Sequence, residues 1–349
     1  MKKLSFPKSK IKVLLLEKLD KSARDLFEKE GYDVETHDGS LSEDNLIDKI
    51  KKVSILGIRS KTHISKKVIK SSNRLLSIGA FCIGTNQINL NACAKAGITV
   101  FNAPYSNTRS VVEIVIGQII NLLRSVIEKS NDLHDGIWRK DSINSYEIRN
   151  KTIGIIGYGN IGSQLSVICE SLGMKVIYYD IVDKLSIGNA KKHDSLDSIL
   201  KESDIVSLHV DGREDNTNLI GEREINLMKE KSILINYSRG NIVNINALKE
   251  NLLNNKLMGA AIDVFPKEPL NNSEKFESSL RRIKNLILSP HIGGSTKEAQ
   301  ENIGAYVPDK IIDFINTGNT SSCVNFPDLS LPEQKDSHRL IHIHNNEPG

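Results

Sequence analysis

The sequence predicts an α/β protein made of two doubly wound parallel-sheet domains, and three observations lead there. Short runs rich in Val, Ile and Leu alternate with amphipathic stretches from residue 11 onward, the pattern of βαβ units whose sheets are covered by helices. The alternation occurs twice, before and after a long helical pattern that begins near Asn107. With 349 residues, the chain is long enough for about two domains, each burying its own core.

In the first block "IKVLLL", "VSILGI", "LLSIGA" and "ITVFN" read as strands. Helices such as "KSARDLFEKEG" and "LNACAKAG" lie between them, each closed by a glycine suited to a left-handed cap. The stretch "RSVVEIVIGQIINLLRSVIEKS" then reads as one long helix leading into the second block. There the strands are "TIGIIG", "KVIYYD", "DIVSLHV", "SILINYS", "MGAAIDVF" and "NLILSP", a number that suits a doubly wound nucleotide fold. After His291 helical periodicity returns, with Ser295 as N-cap and Glu298 three residues on. Pro308 removes a helical donor and clashes with the preceding turn, so a kink or break is expected near Ala305 to Val307. "NFPDLSLPEQKDSHR" reads as a linker.

Lys and Arg number 47 against 43 acids, a balance that points to neither nucleic acid nor an anionic membrane as partner. The N-terminal apolar run, Val13 to Leu16, is too short for a signal peptide. Val111 to Leu123, the most apolar region, carries Glu113 and Gln118 and is too short for a membrane span. A cytoplasmic protein is expected. Cys82, Cys93, Cys169 and Cys323 show no CxxC spacing and no neighbouring histidines, so they read as buried reduced thiols rather than a zinc site or a disulfide framework.

"GIIGYGNIG" sets Gly157, Gly159 and Gly162 in a G-x-G-x-x-G spacing. The bare pattern is weak. Here it follows an apolar strand, opens the helix "NIGSQLSVICESLG", and is followed by Asp180, 18 residues after Gly162, at the end of "KVIYYD". Gly157 would make the turn, Gly159 would let the backbone approach a pyrophosphate, and Gly162 would let helix and strand pack closely. The helix N-terminal amides would meet the anion. A carboxylate at Asp180 suits ribose hydroxyls and repels a 2′-phosphate, so the expected cofactor is NAD rather than NADP.

Three further stretches stand at strand ends of the second block, where ligands of such sheets sit. They are "NYSRG" with Arg239, "AIDVFPKEP" with Asp263 and Glu268, and "LSPHIGGST" with His291. A histidine near neutral pKa can take the proton of a secondary alcohol during hydride transfer. A carboxylate beside it favours the charged imidazole, and an arginine offers a planar fork to a substrate carboxylate.

Together with "GAFCIGTNQINL", "NAPYSNTRSVVEIVIG" and "SPHIGGSTKEAQENIG", these motifs resemble the D-isomer-specific 2-hydroxyacid dehydrogenases over essentially the whole chain. The resemblance implies NAD-dependent oxidation of a small phosphorylated 2-hydroxy acid, with Arg239, Glu268 and His291 catalytic. It implies cofactor contacts from the glycine loop with Asn160 and Ile161, from Asp180, from Tyr237, Ser238 and Arg239, from Asp263, and from His291, Ile292, Gly293 and Gly294. Substrate contacts would come from Arg59, Ser60, Lys61 and Asn107, with Lys61 standing where arginine is often found and binding phosphate less directionally. Lys140 in "GIWRK" would reach the phosphate from a partner subunit.

Two residues depart from the family pattern. Tyr237 replaces a small residue, which either narrows the nicotinamide pocket or points elsewhere. Asp211 replaces a proline, so the loop over the cofactor is expected to differ in shape. The alternative readings are a glyoxylate or hydroxypyruvate reductase and a non-enzymatic NAD-sensing corepressor, since both reuse this fold.

The architecture implied is a Rossmann nucleotide domain, 106–294, inserted into a discontinuous flavodoxin-like substrate domain, 1–105 and 295–330. A homodimer through the nucleotide domains is implied as well. "HRLIHIHNNEPG" resembles the first strand and loop of a C-terminal ACT module, which binds serine as feedback inhibitor, with His344 and Asn346 at effector positions. The remaining elements of that module are absent, so an active enzyme without a serine sensor is expected. A metal site from His338, His342 and His344 is disfavoured, because alternation puts His342 and His344 on one face with no further ligand in sight.

Overall fold

A computed structural model describes residues 7–269, 273–330 and 332. The chain divides into two units, Met1–Asn107 with Lys297–Gly349, and Thr108–Thr296. In the first unit β1 (Lys12–Leu16), β2 (Asp33–His37), β3 (Ile55–Ile58), β4 (Ser77–Ala80) and β5 (Thr99–Asn102) run parallel in the order β2-β1-β3-β4-β5. Four of them are the apolar runs visible in the sequence. The fifth, β2, is a half-exposed edge strand, "DVETH", with no apolar run to announce it. Helices α1 (Lys21–Lys29), α2 (Glu43–Ile50), α3 (Lys66–Ser71) and α4 (Leu90–Lys95) connect the strands. Past the ends of α1 and α4, Gly31 and Gly97 take φ of +89° and +72°, the left-handed cap that glycine adopts most easily.

The second unit opens with α5 (Thr108–Arg124) and α6 (Val126–His134), which the sequence had suggested as one helix. The two are bent by 65° about Ser125, whose φ is +49°. The bend frees the Leu123 carbonyl to accept the Tyr146 amide at 2.9 Å. Among the described residues no single helix is long and apolar enough to cross a membrane.

Strands β6 (Thr152–Ile156), β7 (Lys175–Tyr179), β8 (Lys191–Lys192), β9 (Ile205–Leu208), β10 (Ser232–Asn236), β11 (Leu257–Ile262) and β12 (Leu286–Leu288) form one parallel sheet, ordered β12-β11-β10-β9-β6-β7-β8. The two-residue β8 is too short to carry a sequence period. Four helices accompany this sheet: α7 (Asn160–Ser171), α8 (Leu196–Glu202), α9 (Glu222–Leu227) and α10 (Ile245–Leu253). In both sheets the strand order reverses, between β1 and β3 and between β6 and β9, and the crevice outside such a reversal is where ligands bind.

The last helix, α11 (Lys297–Thr317), packs on α1, β4 and β5 of the first unit. It starts at Lys297, so Thr296 rather than Ser295 holds the cap position, and the Thr296 hydroxyl shares a 2.8 Å hydrogen bond with Ser110. Of the kink or break expected near Ala305 to Val307, the break does not occur: the helix is continuous through Pro308. Proline in a helix interior costs about 3 kcal/mol. Ile303, Val307 and Ile311 are buried on the same helix, each contributing roughly 1.5–3 kcal/mol. Packing therefore outweighs the local penalty.

The described part of the linker is tied down rather than free. Asn325 accepts the Val100 amide at 2.9 Å and donates to the Ile98 carbonyl at 2.8 Å, while Thr320 and Leu329 exchange hydrogen bonds. His338, His342, His344 and Asn346, with the ACT-like stretch, lie outside the described residues. Of the cysteines, Cys93 and Cys169 are buried and burial pushes both thiols up to about 12, but Cys82 and Cys323 are only half-buried.

Candidate active site

The glycine loop joins β6 to α7. Gly157 has φ +92°, and a Cβ there would lie 2.6 Å from the His209 carbonyl oxygen. At Gly162 a Cβ would meet the Gly157 carbonyl oxygen at 2.2 Å, so helix and loop touch backbone to backbone. Gly159 differs: nothing lies within 4 Å of where its Cβ would be. It is the N-cap of α7 and supplies no side-chain cap, so the first-turn amides, including those of Asn160 and Ile161, face an open cradle.

Asp180 closes the far side, accepting the Tyr158 amide at 2.7 Å and the Val182 amide at 2.9 Å. A carboxylate has about four acceptor positions, which leaves capacity for ribose hydroxyls. His209, just past β9, bonds Ser207 through Nε2 at 2.8 Å. Its Nδ1 is covered and without a partner, and burial pushes the ring down to about 4. An open glycine cradle, an uncapped helix end and an orphaned ring nitrogen at the strand-order reversal fit a dinucleotide.

At the neighbouring strand ends, His291 Nδ1 lies 2.8 Å from Glu268 Oε2. The other Glu268 oxygen accepts the Phe265 amide at 3.0 Å. Burial works to raise the Glu268 carboxyl, but the His291 hydrogen bond, the Phe265 amide and the charges of His291 and Arg239 hold it below the usual carboxylate range. For His291 the hydrogen bond to Glu268 leads and raises the pKa above the ordinary histidine value, against burial and the repulsion of Arg239.

Arg239 donates Nη1 to the Ser238 carbonyl at 2.7 Å and makes no ion pair among the described residues, so its charge is available to an anion. Its turn is shaped by Asn236, 1% exposed, whose side chain accepts from the Ser238 amide and hydroxyl and donates to the Arg239 carbonyl at 3.0 Å. Gly240 lets this turn touch the one leading to Glu268, since a Cβ there would lie 2.0 Å from the Phe265 carbonyl carbon.

Asp263, expected at the cofactor, is 2% exposed and committed to the loop that carries His291. Its carboxylate accepts from Ser289 Oγ at 2.5 Å and from the Ile292 and Gly293 amides at 3.0 and 2.8 Å. The His291 amide donates to the Asp263 carbonyl at 2.8 Å, and His291 itself takes φ +53°. Gly294 follows, half-buried. Tyr237 points into the core of the second unit, 6% exposed among Val111, Val115 and Ile119, with its hydroxyl on Ser289. Asp211 is held by hydrogen bonds of its own. The Arg213 guanidinium and amide donate to its carboxylate, as does Asn216, and the Arg213 contact leads in lowering its pKa. Asn236 and Ser289 lie within the stretches "NYSRG" and "LSPHIGGST", but the sequence alone does not assign their roles, which arise from the turn and loop geometry around them.

In the first unit Arg59, Ser60 and Lys61 follow β3 at the strand-order reversal, Arg59 half-buried and the other two exposed. Neither Arg59 nor Lys61 makes an ion pair among the described residues. Asn107 has its Oδ1 covered and unpartnered, an acceptor waiting for a donor. Lys140 lies exposed between α6 and β6.

A histidine tuned to exchange one proton, held beside an open dinucleotide cradle on the same sheet, makes the second unit that of an NAD-dependent oxidoreductase. The family model described as D-isomer specific 2-hydroxyacid dehydrogenase, NAD binding domain, matches residues 116–293. The chain is 50% identical over 345 residues to a D-3-phosphoglycerate dehydrogenase of Dictyostelium discoideum, covering 99% of this chain and 85% of that one. It is 50% identical over 350 residues to the protein of the same name from Escherichia coli K12, covering 100% and 85%. A solved D-lactate dehydrogenase from Aquifex aeolicus, complexed with NAD and lactic acid, superposes with a TM-score of 0.78 at 25% identity, covering 90% of this chain and all of that one. This chain belongs to the D-isomer specific 2-hydroxyacid dehydrogenase family, and its cofactor is NAD.

Proposed function

We propose that the protein oxidises D-3-phosphoglycerate to 3-phosphohydroxypyruvate, the entry to a phosphorylated route to serine. The observation that carries this reading is the 2.8 Å pairing of His291 with Glu268 beside an Arg239 free of any ion pair among the described residues. It is supported by relatives at 50% identity that bear the phosphoglycerate dehydrogenase name.

Nδ1 of His291 is committed to Glu268, so Nε2 is the nitrogen that meets the substrate hydroxyl. In the oxidative direction neutral His291 takes the hydroxyl proton, and Glu268 stabilises the imidazolium that results. Arg239 holds the substrate carboxylate through its unused donors and fixes which face of the carbon is presented. Bound NAD supplies the hydride acceptor. Gly159, the α7 amides and Asp180 would hold its pyrophosphate and ribose. Ser238, Arg239 and the His291–Gly294 loop line the strand ends where the nicotinamide would lie. Asp263 supports that loop from beneath.

Arg59 and Lys61, with Ser60 and Asn107, supply the charge and hydrogen bonds a phosphorylated substrate requires, and a second copy of the chain would bring Lys140. We read the dimer as forming through the nucleotide-binding units. The N-terminal apolar run is the buried strand β1, and the apolar stretch of α5 packs in the core of the second unit, which supports a soluble enzyme.

The test is reduced-nicotinamide formation from D-3-phosphoglycerate set against D-glycerate and other unphosphorylated hydroxy acids. Efficient turnover of the phosphorylated substrate with much weaker turnover of the others is expected. No turnover of phosphoglycerate would overturn the reading.

A further inference from the structure

We propose that Glu17 and Gln87 are positioning residues that anchor the Arg59–Thr62 loop from its two ends and thereby set affinity for the phosphate of the substrate. The proposal rests on the function argued above. Glu17 follows β1 and the loop follows β3, adjacent strands at the reversal of strand order in the first sheet. Glu17 is 8% exposed, and its carboxylate accepts the Lys61 amide at 3.0 Å through Oε2 and the Thr62 amide at 2.8 Å through Oε1. No cation pairs with it among the described residues. A buried carboxylate is costly unless hydrogen-bonded, and here its charge is met by two loop amides.

The backbone around Glu17 is itself unusual. Glu17 and Lys18 have φ of +66° and +48°, the left-handed region that residues other than glycine seldom occupy. Strain of this kind persists where surrounding contacts over-determine it, commonly beside a functional site. At the loop's other end Gln87, also 8% exposed, donates from Nε2 to the Arg59 carbonyl at 2.6 Å. Its own carbonyl accepts the Ile64 amide at 2.7 Å.

The loop backbone is thus held at residues 59, 61, 62 and 64, while the side chains of Ser60 and Lys61 stay exposed. Because Glu17 occupies the Lys61 and Thr62 amides, those amides are not available to an anion. Recognition is left to the side chains of Arg59, Ser60 and Lys61, whose aim depends on the anchored backbone.

The test compares Glu17→Gln and Gln87→Leu with the wild type on phosphoglycerate, D-glycerate and NAD. In Glu17→Gln the carboxamide sets an N–H donor against one of the two loop amides, so one anchor is lost. The KM for phosphoglycerate is expected to rise about tenfold or more, the size of losing a hydrogen bond to a charged group. The kcat and the KM values for D-glycerate and NAD should change less than about twofold, a split that general destabilisation would not produce. Glu17→Asp, which keeps the charge and tolerates positive φ, should recover part of the loss.

Should Glu17→Gln fail to fold, Gln87→Leu carries the same expectation from the opposite end. An unchanged phosphoglycerate KM in the folded variants, or an equal rise for D-glycerate, overturns the proposal. A wild-type enzyme that does not oxidise phosphoglycerate overturns the function it rests on, and that result is visible before any variant is made.

Discussion

The hydroxyl of Tyr237 lies 3.0 Å from Ser289 Oγ, and Ser289 donates in turn to Asp263. This relay joins the core of the second unit to the loop that carries His291. Tyr237→Phe keeps the buried ring and removes the hydroxyl's bonding to Ser289 and Gln118, so a stability loss of about 0.5–1.5 kcal/mol per hydrogen bond is expected, with the KM for NAD unchanged. Denaturant unfolding and steady-state kinetics check it. A large rise in the NAD KM would mean that Tyr237 reaches the nicotinamide after all.

Glu268 sets the pH at which His291 works. Its hydrogen bond raises the His291 pKa, so His291 keeps its proton to higher pH. In oxidation the base must be neutral, so kcat/KM should climb as pH rises through that raised value. In reduction the acid must be protonated, so activity should fall over the same range. Glu268→Gln removes the raising partner, and both limbs should move to lower pH, toward about 6.5. A pH profile that does not move would assign the titration to another group.

Asp180 supports the glycine loop, and in the function proposed above it would also face the ribose. Asp180→Asn can still accept from the Tyr158 amide but no longer repels a 2′-phosphate. The NAD preference should weaken by about tenfold in kcat/KM, the scale of one charge-assisted hydrogen bond. Comparing NAD with NADP in wild type and variant measures it.

Gly240 is a geometric requirement of the site. Gly240→Ala would force the Arg239 turn away from the backbone of Phe265, and so from the turn leading to Glu268. A displacement of about 1 Å can cost on the order of a hundredfold in rate, and kcat/KM should fall on that scale. NAD affinity, measured by calorimetry, should fall much less, since the glycine loop and Asp180 are untouched. Full activity in this variant would show that the two turns need not touch.

What could be read from the sequence was whatever chemistry is written locally. The glycine loop shows itself because strand, turn, helix and acidic strand end fall within one continuous segment, and His291, Glu268 and Arg239 each sit in a short distinctive motif. The support of those motifs is not local. Asp263 meets the Ile292 and Gly293 amides only because β11 and β12 are in register and His291 adopts a positive φ. Ser125 and Pro308 fail for the same reason in opposite directions. One bends a stretch whose periodicity runs on, and the other sits in a helix whose buried face outweighs its own preference. The edge strand β2 escaped notice because half-exposed strands need no apolar run.

The first sheet ends in two differently guarded rims. On one side Glu35 of β2 sits between Lys12 and Lys49, which hold its carboxyl down to about 2, so charge bars a foreign strand from docking. On the other, the Asn325 carboxamide occupies the Ile98 carbonyl and the Val100 amide beside β5, while the Val324 amide donates to the Val100 carbonyl at 2.8 Å and Cys323 pairs with Phe101 in a β-bridge, so the chain's own tail segment covers that rim. The carboxamide pins that segment to the rim, and loosening it would expose β5 to intermolecular β-pairing. Asn325→Ala should therefore aggregate in a concentration-dependent way during heating, even where its catalytic constants match the parent enzyme.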